Sequence, residues 1–142
     1  MTSQPAGLIR RLGALFYDWL LILALWFVLT ALLLPLTGGE ALPEQGPWHW
    51  AYQALLGLSA LGFYLGFWRK GGQTLGMRAW RVRLVDEAGR TPSVHAMLVR
   101  AFWALPSWGL GGLGVLAMLL DPKRRALQDR LSGTRLIVDR IR

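Results

Sequence analysis

From Leu12 to Leu36 the chain reads LGALFYDWLLILALWFVLTALLLPL, a run broken by one charge, Asp18. At 1.5 Å per helical residue, about 20 apolar residues cover a hydrocarbon core roughly 30 Å thick. The run therefore predicts a transmembrane helix over 12–36, with Pro35, Gly38 and Gly39 marking its end. A cleaved signal peptide is the rival reading, with Arg10-Arg11 as its basic head. The apolar run is longer than the 7–15 residues of a signal core and carries an aspartate, so the span is preferred. A second uncharged run from Trp48 to Trp68 is stopped by Arg69-Lys70. Trp48, Trp50 and Trp68 stand at its ends, where indole rings favour the headgroup level, and it reads as a second span over 48–68.

Composition narrows the class. At 142 residues the chain fits one domain. No cysteine is present, which removes disulfides and Cys-ligated zinc or iron–sulfur sites. A net charge of +8 would suit nucleic acid, but eight Trp and long apolar runs do not belong on a soluble nucleic-acid-binding domain, so no nucleic-acid partner is expected. Basic and apolar together point to a membrane protein whose cations face one side, and to a bilayer partner with anionic lipid at its cytoplasmic face.

The third membrane segment, 93–120, contains His95 and Arg100 and is interrupted by Pro106 and the run Gly109 to Gly114. Charge bias decides its topology. Arg10 and Arg11 precede the first span, and the loop 37–47 has Glu40 and Glu44 but no Lys or Arg. Residues 69–100 hold Arg69, Lys70, Arg78, Arg81, Arg83, Arg90 and Arg100, and the tail holds Lys123, Arg124, Arg125, Arg130, Arg135, Arg140 and Arg142. Short basic flanks stay in the cytoplasm. The N-terminus, the connection 69–92 and the tail 121–142 are therefore expected inside. A broken hairpin, with half-helices near 93–105 and 110–120, satisfies that rule better than a third full crossing, which stays open as the alternative.

The connection continues with Gln73 to Arg81, which can form a short amphipathic turn of helix on the membrane surface after a bend at Gly71-Gly72. Arg81 to Val85 alternates like a strand and Asp86 to Pro92 reads as a turn. In the tail, DPKRRALQDRLSG reads as an amphipathic helix ended by Gly133, and Thr134 to Val138 is again strand-like. The two strands could pair beneath the membrane. The expected fold is thus an all-α polytopic membrane protein: two full transmembrane helices plus a broken third membrane segment (helical hairpin or third span), short cytoplasmic amphipathic helices and short strands, all in one membrane domain over 1–142.

Asp18 is the sharpest chemical signal, because an ionisable group inside a span is costly and marks a site with a partner. Arg11 lies seven positions earlier, two helical turns away on the same face. The pair is read either as a functional site or as a structural ion pair that orients the first span. Other features carry less. Gly109-x-Gly111-x-x-Gly114 matches a dinucleotide pattern but neither follows a strand nor opens a βαβ unit. His49 and His95 fall near opposite faces, so no shared metal is expected and the metal question stays open. Glu40 and Glu44 read as a solvated loop, and Trp19, Trp26, Trp80, Trp103 and Trp108 as lipid-facing or packing residues. No nucleophile–base set, P-loop or metalloprotease motif is present, so no enzyme and no cofactor are expected.

Taken together, RRLGALFYDWL, GGQTLGMRAWRVRLVD and RRALQDRLSGT, in that order around apolar spans, resemble the RDD family of bacterial integral membrane proteins. The resemblance runs from about Leu8 to Val138. It implies that Arg11, Asp18 and Asp129 are the arginine and two aspartates of the family name, and that Gly72, Thr74, Gly76, Arg130, Gly133 and Thr134 belong to its motifs. Two positions depart: Gln128 stands where the family commonly has His, and Met77 where Lys is common. Gln128 removes a titrating neighbour of Asp129. The family implies transport of protons or small cations, with sodium–proton exchange in some members, in a multi-pass protein of the bacterial inner membrane. The expectation is that Arg11, Asp18 and Asp129 converge in one cytoplasm-facing site. The alternative is a non-transporting scaffold or accessory protein in which the same residues form a structural clasp. Gly57, Gly62 and Gly66 offer a close-packing face on the second span for a homo-oligomer or another membrane protein.

Overall fold

The computed structural model describes residues 4–41 and 43–139; Arg140 and Arg142 of the basic tail lie outside them. Its described residues form six helices and one two-stranded sheet. Helix α1 runs Leu8–Leu33 and continues through a 3₁₀ turn, Leu34–Thr37, to Gly38 at φ +69°. Its apolar window is only 6% buried, with Ile9, Phe16, Leu20, Leu23, Phe27 and Leu32 exposed. A soluble domain does not leave so long an apolar surface to water, which makes α1 a lipid-facing helix.

Helix α2, Pro47–Gly71, covers the second expected span. Among the described helices only the Leu8–Thr37 stretch is long and apolar enough to cross a membrane unaided. Helix α2 has the length, but His49, Gln53, its glycines and its Trp and Tyr residues dilute it. Two hydrogen-bonded contacts tie it to α1: the Trp26 indole N–H donates to the Leu56 carbonyl (3.1 Å) and to Ser59 Oγ (3.1 Å), and Thr30 and Tyr52 share a hydroxyl pair at 2.6 Å. Around Gly57, Gly62 and Gly66 the space beside the backbone is open.

The third segment is two helices, α4 (Val94–Gly109) and α5 (Leu113–Leu116, extended by a 3₁₀ turn to Leu119), bent by 105°. Pro106 does not break it, contrary to the expected half-helix boundary near 105. The break falls at Gly111 and Gly112, whose φ values of +70° and +80° only glycine adopts without strain. At about 1.5 Å per residue α4 is shorter than the hydrocarbon core. A bent pair stands where a hairpin or a third span was expected.

Beneath these helices sits a small polar cap. Helix α3 (Leu75–Ala79) packs on α1, and β1 (Val82–Asp86) pairs antiparallel with β2 (Thr134–Val138), Leu84 opposite Leu136. The pairing expected from alternation is therefore present. Such a ribbon is marginal alone. Here the extended segment at Gln4 to Ala6 lies along β2, with Ala6 N–H donating to the Leu136 carbonyl (2.8 Å) and Val138 N–H to that of Gln4 (2.9 Å). Its inner face enters a core of Ala6, Ala14, Trp68, Met77, Val82, Leu84, Met97 and Leu136.

The tail helix is shorter than 121–133. Helix α6 covers only Leu127–Ser132. Pro122 and the Asp121 carboxylate, which accepts from the Arg125 N–H (2.9 Å), turn the chain first, and Arg124 takes a left-handed backbone (φ +50°).

Candidate functional site

The site begins with a capping problem. Helix α6 starts after Ala126, which has no side chain to satisfy the free N–H groups of a first turn. Asp129, three residues on, reaches back and accepts from the Ala126 N–H at 3.0 Å, half of a capping box. That places its carboxylate between α1 and α4. Arg11 donates from Nη1 to Asp129 Oδ2 (2.5 Å), from Nε to the Ala6 carbonyl (3.1 Å) and from Nη2 to the Arg124 carbonyl (3.0 Å). Arg100 of α4 donates from Nη1 to Asp129 Oδ1 and to Thr134 Oγ1 (3.1 Å), and its guanidinium lies 5.7 Å from the centroid of the Trp68 ring. Asp129 is 1% exposed, Arg11 5% and Arg100 6%, so three charges share a dry site.

Burial alone would push the Asp129 carboxyl up. The guanidinium groups of Arg100 and Arg11 act against that and hold it below the usual carboxylate range. The consequence for stability follows from the sign. A carboxyl whose native pKa lies below its unfolded value, about 3.9 for Asp, stabilises the fold above that value. The contribution is lost as pH falls through the depressed native pKa. Melting followed from pH 7 downward is expected to show little loss from this residue until about pH 4 and a drop below it. An unchanged melting temperature at pH 3 contradicts the assignment.

Asp18 belongs to the same buried stripe of α1 as Arg11, Ala14 and Ile22. Its partners are elsewhere. Thr74 donates its hydroxyl to Asp18 Oδ2 at 2.5 Å, and the Gly76 N–H donates to Oδ1 at 2.9 Å. Thr74 also caps α3, accepting from the Met77 N–H at 3.1 Å. Glycine is needed at 76, since a Cβ there would fall 2.2 Å from the Ala14 carbonyl oxygen. Arg11 and Asp129 are thus paired directly, whereas Asp18 receives α3 at the next level of α1. Among the described residues it has no ion pair.

The remaining motif positions serve the frame. Gly72 ends α2 at φ +69°, its carbonyl accepting from the Leu84 N–H at 2.7 Å. Gly133 ends α6 at φ +65° and turns the chain into β2. Thr134 accepts from Arg100, and Arg130 is exposed. Met77, where Lys is common, is buried in the core. Gln128 accepts from the Ser107 hydroxyl at 2.6 Å, joining α6 to α4. His49 is half-buried and His95 exposed, and no group of three metal-capable residues occurs among the described residues.

Arg100 is the site residue that sequence reading counted only as topology charge. The signal was available: an arginine in an otherwise apolar segment demands a partner as much as Asp18 does.

The RDD family model matches residues 5–133. No curated protein and no solved structure matches the chain.

Proposed function

The chain belongs to the RDD family, and we propose that it is an integral protein of the bacterial inner membrane in which Arg11, Asp129 and Arg100 form a structural clasp. In this reading it is a non-transporting scaffold or accessory protein. One observation carries it: both Asp129 oxygens and Nε, Nη1 and Nη2 of Arg11 are occupied by partners within the chain. A site that exchanges ions needs a ligand atom to spare. The clasp instead fastens α4 and the tail to the inner end of α1. Helix α2 forms the second span, and both termini lie in the cytoplasm, a topology supported by the charge bias. A C-terminal reporter is expected to be active in the cytoplasm; periplasmic activity overturns the orientation.

A second reading, a transporter or transporter subunit for protons or small cations, is favoured by Asp18. This carboxylate is 2% exposed in an apolar helix and, among the described residues, has no ion pair. The Tyr64 hydroxyl on α2 is buried without a hydrogen-bond partner among the described residues. Ion flux in proteoliposomes across a pH gradient separates the readings. The clasp predicts no flux above protein-free vesicles for either wild type or Asp18→Asn. A wild-type flux abolished by Asp18→Asn establishes transport instead.

A further inference from the structure

Three arginines far apart in the sequence meet at one groove by the start of α1. Arg10 comes from α1 itself, Arg81 from the corner between α3 and β1, and Arg124 from the loop ahead of α6. With Leu8, Ile9 and Trp80 they line an open groove of about 840 Å³, and among the described residues no carboxylate lines it. All three arginines are exposed. Each is nonetheless anchored, Arg10 through its side chain and Arg81 and Arg124 through their backbone carbonyls. Arg10 Nη1 donates to the Trp80 carbonyl (3.0 Å), the Asp139 N–H donates to the Arg81 carbonyl (2.8 Å), and the Arg124 carbonyl accepts from Arg11. Arg81 (φ +54°) and Arg124 (φ +50°) are the two non-glycine residues among those described in the left-handed region, which L side chains disfavour.

The groove is also apolar on one side. Ile9 is 76% exposed and is followed on α1 by exposed Leu12 and Phe16, and the Trp80 ring packs directly on Gly13. A free inorganic anion would use the cations and leave this surface bare. A molecule with an anionic head and an acyl body would use both, and the inner leaflet supplies such molecules at this depth.

We propose that the groove binds an acidic phospholipid of the inner leaflet, its phosphate held by Arg10, Arg81 and Arg124 and its acyl base resting against Ile9 and Trp80. The proposal rests on the orientation given above, with the start of α1 at the inner face, and not on whether ions are carried. It differs from general attraction of a basic surface to acidic lipid in that three particular cations carry it.

The test uses the full chain in phosphatidylcholine nanodiscs doped with spin-labelled phosphatidylglycerol or, in parallel, spin-labelled phosphatidylcholine. Both leaflets then have the same composition, so the outcome does not depend on orientation, which the reporter tests separately. Wild type is expected to immobilise the acidic label in preference to the neutral one. Arg10→Gln/Arg81→Gln/Arg124→Gln is expected to lose that preference, at about fivefold for each cation. Arg69→Gln/Lys70→Gln/Arg90→Gln, which removes equal charge elsewhere, is expected to keep it. Should the groove triple fail to fold, Arg124→Gln alone is read for its fivefold share. Equal losses in the two triple variants, or no loss in the groove variant, overturn the proposal. Displacement of the lipid by millimolar inorganic phosphate also overturns it and makes the groove a site for free anions.

Discussion

Asp129→Asn is expected to destabilise the fold by about 3–5 kcal/mol, enough to remove most folded protein from the membrane fraction. The carboxylate answers two guanidinium groups, Arg11 and Arg100, in a site almost closed to water. An amide of the same shape keeps the Ala126 cap but leaves two buried like charges without a counter-ion. Breaking a buried ion pair from one side costs more than the pair itself contributes. The triple replacement Arg11→Met/Arg100→Met/Asp129→Leu, which removes every charge at once, is therefore expected to melt above Asp129→Asn. Thermal melting in detergent, with yield from membranes as a second reading, checks both. If Asp129→Asn melts with wild type, the clasp does not hold the fold together.

Gly76→Ala carries the second large effect. Its added methyl would lie 2.2 Å from the Ala14 carbonyl oxygen and 2.9 Å from the Asp18 carboxyl carbon, both on a helix that cannot yield. Helix α3 must lift from α1, which takes the Gly76 N–H and the Thr74 hydroxyl away from Asp18. Overpacking of this kind typically costs 1–3 kcal/mol, and a buried carboxylate left without its donors adds to it. A loss of about 3 kcal/mol or more is expected. Gly57→Ala and Gly66→Ala, placed where the space beside the backbone is open, are the controls and are expected to melt at or above wild type. Equal effects at all three positions would mean that helix propensity, not the α1–α3 contact, governs the response.

The candidate site was legible in part, and particular residues show why. Asp18 announced itself because a carboxylate in an apolar run has no neutral explanation, and seven-residue spacing put Arg11 on its face. The spacing could not say which aspartate Arg11 meets. Two turns of helix separate its guanidinium from Asp18, and the space between is taken by Ala14 and by the α3 backbone at Gly76. Arg100 was hidden by its usefulness as a topology marker. The tail helix was read too long because basic residues at 123–125 continue its amphipathic pattern, while Asp121 and Pro122 turn the backbone before the helix can start.

The sequence by itself determined the elements whose cause is local. An apolar run unable to dissolve in water makes α1, glycines at Gly72 and Gly133 end their helices, and period-two alternation makes both strands. It also determined the family, because three short motifs in order are improbable together by chance. Only the tertiary structure decided the partners. Pairing of Arg11 and Arg100 with Asp129 and of Asp18 with α3, and the gathering of three arginines along one groove, join residues up to 118 positions apart. Such contacts depend on how a bent helix pair and a small sheet close against α1 and α2, and no local pattern encodes that closure. A buried charge states that it needs a partner; the packing of the whole chain selects which one.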